Sequence, residues 1–378
     1  VFSGEQIMKN SRREFIKAGA IGAAVAAAGL PAVSLAGDKH GQGKPQKPLN
    51  ILILGGTGFI GPHMVREALR RGHSVTLFNR GRSNNTLFPD LETIKGDRDN
   101  GLDGLKGRNW DAVIDNSGYV PRHVQDSARL LAPNVGRYLY ISTVSVYASF
   151  GVKNHEDSPL ATIADETIEE VTGETYGALK ALCEKRAAAE FDADRFTILR
   201  PTYICGPGDH TDRFSYWPIR TRKGGEMIWP GTPDDPVQIV DVRDLAYFTI
   251  NCLDHSINGT YNMVNPAGSY TIGKLLQDNQ AVTATEVDAI WMDEAFLAEN
   301  GLEGGRDLPV WHGATDSLDV SADRALAAGF DHRPERETAR DLLSWWDTLP
   351  AERRAKTKAG ITAEKEAEVI AAWKSRGT

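Results

Sequence analysis

The chain is short of cysteine: there are three in 378 residues, Cys183, Cys205 and Cys252, far apart in the sequence. That spacing makes neither a disulfide framework nor a metal-ligand set, so each is read as a small buried hydrophobe and no metal is expected. A basic run is also missing, and 43 Lys and Arg against 51 Asp and Glu leave a formal charge of −8. Nucleic acid is therefore not an expected partner, because Lys and Arg must replace the counterions condensed on phosphates. No internal repeat is visible. The apolar stretch in residues 18–36 is broken by Gly19, Gly22, Gly29 and Pro31. It is short and weakly hydrophobic for a helix that must cross roughly 30 Å of hydrocarbon, so no stable membrane span is expected.

What surrounds that stretch gives it another meaning. Arg12 and Arg13 follow Ser11, then come Phe15, Ile16 and Lys17, and the run closes on the small-residue exit Ser34-Leu35-Ala36. A charged start, a short apolar middle and a small-residue end make an export signal over residues 1–36. The pattern resembles the twin-arginine translocation (Tat) signal of bacteria, a receptor-read address for proteins that cross already folded. The resemblance implies the Tat translocon as a partner during export and a periplasmic or otherwise exported location. Met8 is the expected start, with residues 1–7 not native. Residues 1–36 carry four Lys and Arg against two Asp and Glu, so the mature chain has a charge of −10.

A Gly, Lys and Pro-rich spacer, residues 37–48, leads into 330 residues, enough for a large domain or a main domain with a smaller partner. Strand-like apolar runs alternate with helical patterns: "LNILILG", a helix from about Phe59 to Arg71, "HSVTLFN", "LETIKGD", "DAVIDNS", a helix near Arg122 to Leu131, "RYLYIST", a helix near Tyr176 to Glu190, and "RFTILRP". Strands apolar on both faces and separated by helices predict a doubly wound α/β fold, a Rossmann-type parallel sheet, over residues 49–208. From Asp209 the alternation breaks into aromatic and Pro/Gly-rich connections with short strands. Residues 209–350 are expected to be mainly a substrate-binding lobe, with some segments returning to the sheet, and 351–378 a helical tail. Thr362 is the expected N-cap of its last helix, with Glu364 and Glu366 in the first turn.

Four local patterns carry chemistry. Gly55, Gly58 and Gly61 in "GGTGFIG" follow a strand and open a helix, so Gly55, Thr57, Gly58, Phe59, Ile60 and Gly61 form a turn whose amides face a pyrophosphate. At the end of the second strand, where an Asp or Glu would accept from an adenosine 2′-hydroxyl, stand Asn79, Arg80 and Arg82. Arginines without a carboxylate suit a 2′-phosphate, so NADP is favoured and NAD is the alternative. In "KGDRDN", Asp97 either accepts from the adenine amino group or caps a helix, and Arg98 adjoins it. Further on, Tyr176 and Lys180 in "YGALK" share a helix face, downstream of the Ser142-Thr143 strand end. A lysine ammonium within ~4–6 Å, together with an oxidised nicotinamide, stabilises a phenolate and makes the tyrosine a workable base.

The ordered set "GGTGFIG", "STVSVY", "YGALK", "LRPTYICGPGD", "VQIVDVRDLA" and "YNMVNP" resembles the extended short-chain dehydrogenase/reductase family, the NAD-dependent epimerases and dehydratases, over Leu49 to Leu276. The resemblance implies that Thr143 hydrogen-bonds the reacting oxygen, Tyr176 is the acid/base, and Lys180 holds the nicotinamide ribose. It places Asn116, Ser117 and Gly118 beside the cofactor with Ser142, and has Pro201, Thr202 and Tyr203 bound the nicotinamide pocket. It leaves a homodimer open.

Two departures bear on substrate. Thr143 and Tyr176 are 33 residues apart, which implies an added surface loop around residues 154–173. Val237 stands where nucleotide-sugar epimerases often keep an arginine for the diphosphate, with Arg243 as a compensating candidate. The residues after Thr143 are Val144 and Ser145, without the carboxylate that dehydratases of the family carry there, which ranks dehydration lower. Tyr216, Trp217, Trp229 and Trp311 are either sugar-stacking or core aromatics. His210 and His312 are either substrate contacts or loop residues. The expected activity is a redox-neutral epimerisation of a carbohydrate-like hydroxyl through a transient ketone. Its rivals are an NADP-dependent reductase or dehydrogenase of a small carbonyl, and a sugar dehydratase. A cofactor reduced and reoxidised within one cycle needs no external pool, which reconciles export with a nicotinamide.

Overall fold

Every residue of Ile51–Leu54 is buried, and the two faces of this strand feed different clusters. Ile51 and Ile53 pack with Met64, Val65 and Leu245, whereas Leu52 and Leu54 pack with Val124, Ala128 and Tyr138. An apolar run read at period 2 on both sides is what a central parallel strand requires. The structure, a computed structural model, describes residues 47–84, 86–313 and 316–376. The twin-arginine segment, residues 1–36, lies outside the described residues.

The large sheet holds seven parallel strands: β1 (Asn50–Leu54), β2 (Ser74–Asn79), β3 (Thr93–Lys95), β4 (Trp110–Asp115), β5 (Val135–Ile141), β7 (Phe196–Pro201) and β11 (Gly259–Met263), in spatial order β3-β2-β1-β4-β5-β7-β11. The order reverses between β1 and β4, the switch point at which doubly wound sheets open a crevice for ligand. Three small parallel pairs lie outside it: β6 (Lys153–Asn154) with β13 (Asp319–Val320), β8 (Tyr203–Cys205) with β10 (Ile239–Asp241), and β9 (Gly225–Pro230) with β12 (Val287–Met292).

One face of the sheet is covered by α1 (Gly61–Arg70) and α5 (Val242–His255), which pack on each other, and the other by α2 (Pro121–Leu131) and α3 (Tyr176–Ala188). Thus β11 and α5, late in the chain, complete the nucleotide-binding layer. Helix α1 starts two residues after the position expected from the sequence, because residues 56–60 are used by the turn that precedes it.

The second lobe has its own core of Tyr203, Phe214, Trp217, Trp229, Met227, Leu275, Met292 and Leu342. Around it lie α4 (Tyr216–Thr221), α6 (Ile272–Thr283), α7 (Glu294–Glu299), α9 (Glu335–Asp347), α10 (Ala351–Arg354) and α11 (Ala363–Ser375), with the small α8 (Asp323–Ala327) against β11. The last helix begins at Thr362, whose side chain accepts from the Lys365 amide at 3.2 Å, and it buries Val369 and Ile370 in this core. Tyr216, Trp217, Trp229 and Trp311 are all buried there, so they are core aromatics and offer no sugar-stacking face. All three cysteines are free and buried. Among the described residues, no helix is long and apolar enough to cross a membrane.

Candidate active site

The crevice at the ends of β1 and β4 is lined first by the glycine turn. Gly55 has φ +94°, which an L side chain rarely adopts, and its carbonyl accepts from Asn116 Nδ2 at 2.9 Å. Gly61 lets α1 close on the turn, since a Cβ there would come 2.5 Å from the Gly55 carbonyl oxygen. At Gly58, by contrast, a Cβ would meet nothing within 4 Å, so the turn opens outward at the residue where a phosphate approaches. The N-cap, Ile60, places no side chain over the helix start; Pro62 carries no N–H and the His63 amide turns back to the Ile60 carbonyl, so the Gly61 amide is the first-turn donor that faces an anion. Thr57 is buried and its carbonyl accepts from Asn84 Nδ2, while Phe59 lies half-buried at the mouth of the crevice.

At the end of β2, Asn79 Oδ1 accepts from the Gly81 amide at 2.9 Å, and its buried Nδ2 has no partner. Arg80 and Arg82 are exposed, and neither forms an ion pair among the described residues. An orphaned amide donor and two exposed guanidinium groups are thus the donors offered to the adenosine end of a nicotinamide cofactor. Asp97, just beyond β3, accepts from the Asp99 amide at 3.1 Å and so caps a tight turn rather than a helix.

The Arg98 guanidinium is buried, donating to Asp115 Oδ2 at 2.7 Å and to Ser127 Oγ at 2.6 Å, with a second bond to Asp115 Oδ1. Burial alone would raise the Asp115 carboxyl, and the Arg98 ion pair overrides it and holds the group below the usual carboxylate range. Arg98 is therefore a brace under the β4 end, and its Nη1 also reaches Ser117 Oγ at 3.5 Å. Asp115 Oδ1 accepts from the Ser117 amide, which fixes the Asn116-Ser117-Gly118 bend.

The catalytic candidates meet across that bend. Thr143 caps the short helical turn 144–146, its Oγ1 accepting from the Ser145 amide at 3.1 Å. Gly177 lets α3 dock there: a Cβ would lie 2.2 Å from the Ser145 carbonyl oxygen. That close approach sets the Tyr176 phenol beside Thr143, whose hydroxyl favours the phenolate. Lys180 Nζ, one turn along α3, donates to the carbonyls of Gly118 and Ile141, both at 2.8 Å, and lies over the Tyr140 ring. Ser142 is buried with its Oγ unpartnered, a donor directed at nothing in the protein. Pro201 and Thr202 are buried, Thr202 Oγ1 donating to the Gln238 carbonyl, and the buried Tyr203 bonds His312 Nε2 at 2.8 Å. The segment after Asn154 runs irregularly to Tyr176 and is tied down by Arg122–Glu169 at 2.6 Å and by the Ala161 amide on the Val146 carbonyl.

The electrostatics differ from the sequence expectation in one respect. Burial pushes the Tyr176 phenol above its ordinary value, the neighbouring Tyr119 adds to this, and the Thr143 hydroxyl and the Arg213 guanidinium oppose it. Lys180 is pulled down to about 8 by burial, and two of its three N–H donors go to carbonyls, while Arg213 is a second cation whose charge opposes the rise of the phenol. Neither Tyr119 nor Arg213 stood out in the sequence. Tyr119 follows the bend, 48% exposed, its ring 6.4 Å from that of Tyr176. Arg213 stacks over Tyr203, with Cζ 4.8 Å from the ring centroid.

The diphosphate position is resolved too. Val237 is buried, and Arg243 is bound to Asp241 at 2.7 Å and to Asp341 at 2.6 Å, so it does not stand in for the missing arginine. His312 is likewise held by Tyr203, and His210 packs edge-on against Phe59. Among the described residues no cluster could hold a metal ion.

Comparison with known proteins agrees with this geometry. The model of the NAD dependent epimerase/dehydratase family matches residues 51–265. The chain is 28% identical over 219 residues to the chloroplast stem-loop binding protein of 41 kDa b of Arabidopsis thaliana, covering 54% of each chain. It thus spans about half the length of that curated relative. Among solved structures, it resembles the Bordetella bronchiseptica enzyme WbmH in complex with NAD+, with a TM-score of 0.59, 17% identity, and 80% of this chain and 99% of that one covered. It also resembles the human epimerase family protein SDR39U1 with NADPH, with a TM-score of 0.55, 20% identity, and 79% and 100% covered.

Proposed function

From the premise that this chain belongs to the NAD dependent epimerase/dehydratase family, and is an NAD(P)-dependent enzyme of the short-chain dehydrogenase/reductase type, we propose that it is an NADP-retaining epimerase. Its substrate on this reading is a small molecule with a carbohydrate-like hydroxyl. The observation that carries the reading is the placing of Tyr176 beside Thr143, with Lys180, one turn along the same helix, seated on the Gly118 and Ile141 carbonyls. The net charge of −8 favours a small molecule over nucleic acid.

When bound, NADP supplies the hydride acceptor and then the donor. The protein's part is proton transfer and orientation. Tyr176 Oη takes the proton of the substrate hydroxyl and returns it to the same oxygen, a role open to a phenol only when positive charge lowers its affinity for the proton. Arg213 contributes to that lowering in the protein itself. Thr143 orients the reacting oxygen beside Tyr176. Lys180 holds the Gly118 and Ile141 backbone that frames the nicotinamide end.

The buried Val237 and the occupied Arg243 leave the nucleotide-sugar diphosphate without its usual cation, which favours a sugar or polyol lacking it. Export by the Tat route, read from Arg12 and Arg13, belongs to the same proposal: a cofactor loaded before export and regenerated in every cycle needs no pool outside the cytosol. The test is isotopic. A substrate deuterated at the reacting carbon should keep its label through inversion, with no deuterium entering that carbon from D2O. Loss of the label to the cofactor, with net reduction of NADP+, would favour the dehydrogenase.

A further inference from the structure

The family model ends at residue 265, yet a segment far beyond it reaches back to the crevice. Arg353 Nη2 lies 2.5 Å from Asp212 Oδ1, and the Lys358 amide donates to Asp212 Oδ2 at 2.8 Å. Asp212 is fully buried with φ +62°, a left-handed conformation that a non-glycine residue keeps only when its surroundings impose it. Next to this contact Gly360, at φ +86°, lies flat on the Tyr216 ring, where a Cβ would come within 2.0 Å.

Asp212 ends a loop, residues 206–212, whose other end touches the glycine turn. His63 Nε2 donates to the Pro207 carbonyl at 2.8 Å, and the Phe59 ring meets His210 edge-on with centroids 6.2 Å apart. Burial holds His63 neutral, at about 4, so this contact is a plain hydrogen bond throughout the neutral range. The loop is therefore anchored to the phosphate-binding turn at one end and to the C-terminal segment at the other.

We propose that residues 351–360 are a strap that holds the 206–212 loop down on the glycine turn, with Arg353 as a positioning residue for cofactor retention. The proposal rests on the cofactor reading above. Its logic is mechanical: with Asp212 released, the loop relaxes out of its left-handed bend, and Pro207 and His210 withdraw from His63 and Phe59. The turn then loses the contacts that order it around the pyrophosphate.

The test uses the full chain and NADPH. Hydrogen exchange of cofactor-free protein reports on residues 55–63 and 206–212, and displacement of fluorescent NADPH by excess NADP+ gives its dissociation rate. Arg353→Ala should raise exchange in both segments and speed NADPH release by roughly tenfold, a coupling of about 1.4 kcal/mol. Arg353→Lys should recover most of the wild-type rate. Lys374→Ala, which breaks an exposed pair with Glu226 on the same tail, should change neither readout. Asp212→Asn keeps the backbone preference and an acceptor for the Lys358 amide while removing the charge, and carries the same comparison if Arg353→Ala fails to fold. Wild-type release rates in Arg353→Ala, or raised exchange in 206–212 that leaves 55–63 unchanged, would overturn the strap. If wild-type protein binds neither dinucleotide, the cofactor reading fails on its own, and linked or unlinked exchange of the two segments still decides the strap.

Discussion

Arg98 and Asp115 form a sealed ion pair beneath the end of β4, with Nη2 and Oδ2 2.7 Å apart and both side chains buried. Removing one partner leaves a buried charge uncompensated, which costs about 3–5 kcal/mol. Arg98→Ala should accordingly lower the thermal midpoint sharply, and any loss of NADPH affinity should track unfolding. The lowered Asp115 pKa gives the sign of the pH effect. Its stabilisation is complete above the unfolded value of ~3.9 and is lost as pH falls through the lower folded value. Acid melts of wild type and Arg98→Ala should converge there; a constant gap between them would contradict the assignment.

A second expectation concerns proton transfer. Tyr176→Phe keeps the ring that packs beside Tyr119 and removes the hydroxyl that Thr143 acts on. Turnover should fall by about 10²–10⁴-fold, the usual worth of a positioned acid/base, with NADPH affinity unchanged. Full activity in the variant would assign the proton to another group.

Lys180 sets a third. Because its folded pKa is depressed to about 8 by burial, the unfolded chain binds more protons between that value and the ordinary lysine value of ~10.4. The lysine contribution to stability therefore rises with pH across that window. Lys180→Met should abolish this rise and leave the Gly118 and Ile141 carbonyls unpaired, at about 1–3 kcal/mol each. Urea melts of both proteins from pH 7 to 10 measure it, and parallel pH profiles would refute the buried ammonium.

These contacts also mark how far the sequence could be read. The glycine turn, the Ser142-Thr143 strand end and the Tyr176–Lys180 face were legible because each is written in a few consecutive residues at the end of an element. The bracing role of Arg98 was not legible because its partner, Asp115, is 17 residues away at the end of β4. Arg243 was misread for the same reason, since Asp341 lies on α9. Arg213 and Tyr119 carry no periodic signal at all: they sit in irregular connections, where tertiary packing rather than local pattern sets their place. The doubly wound class followed from strands apolar on both faces; the strap at Arg353 could not, since nothing local pairs it with Asp212.

Cofactor choice gives a fourth prediction. Arg80 and Arg82 stand exposed beside Asn79, whose Nδ2 has no partner in the protein. Replacing both by Ala should cost NADPH roughly 10- to 100-fold in affinity, the worth of a charged hydrogen bond, and leave NADH nearly unaffected. Equal losses for the two dinucleotides, measured by fluorescence titration, would reverse the preference.

The central claim is that the cofactor stays in the protein throughout the cycle, and the most direct measurement is the nicotinamide content of the purified full-length protein after exhaustive dialysis, read by denaturing it and assaying the released dinucleotide. The account predicts NADP stoichiometric with the chain and turnover that needs none added. A protein that dialyses empty and then consumes added NADPH in proportion to product would contradict it.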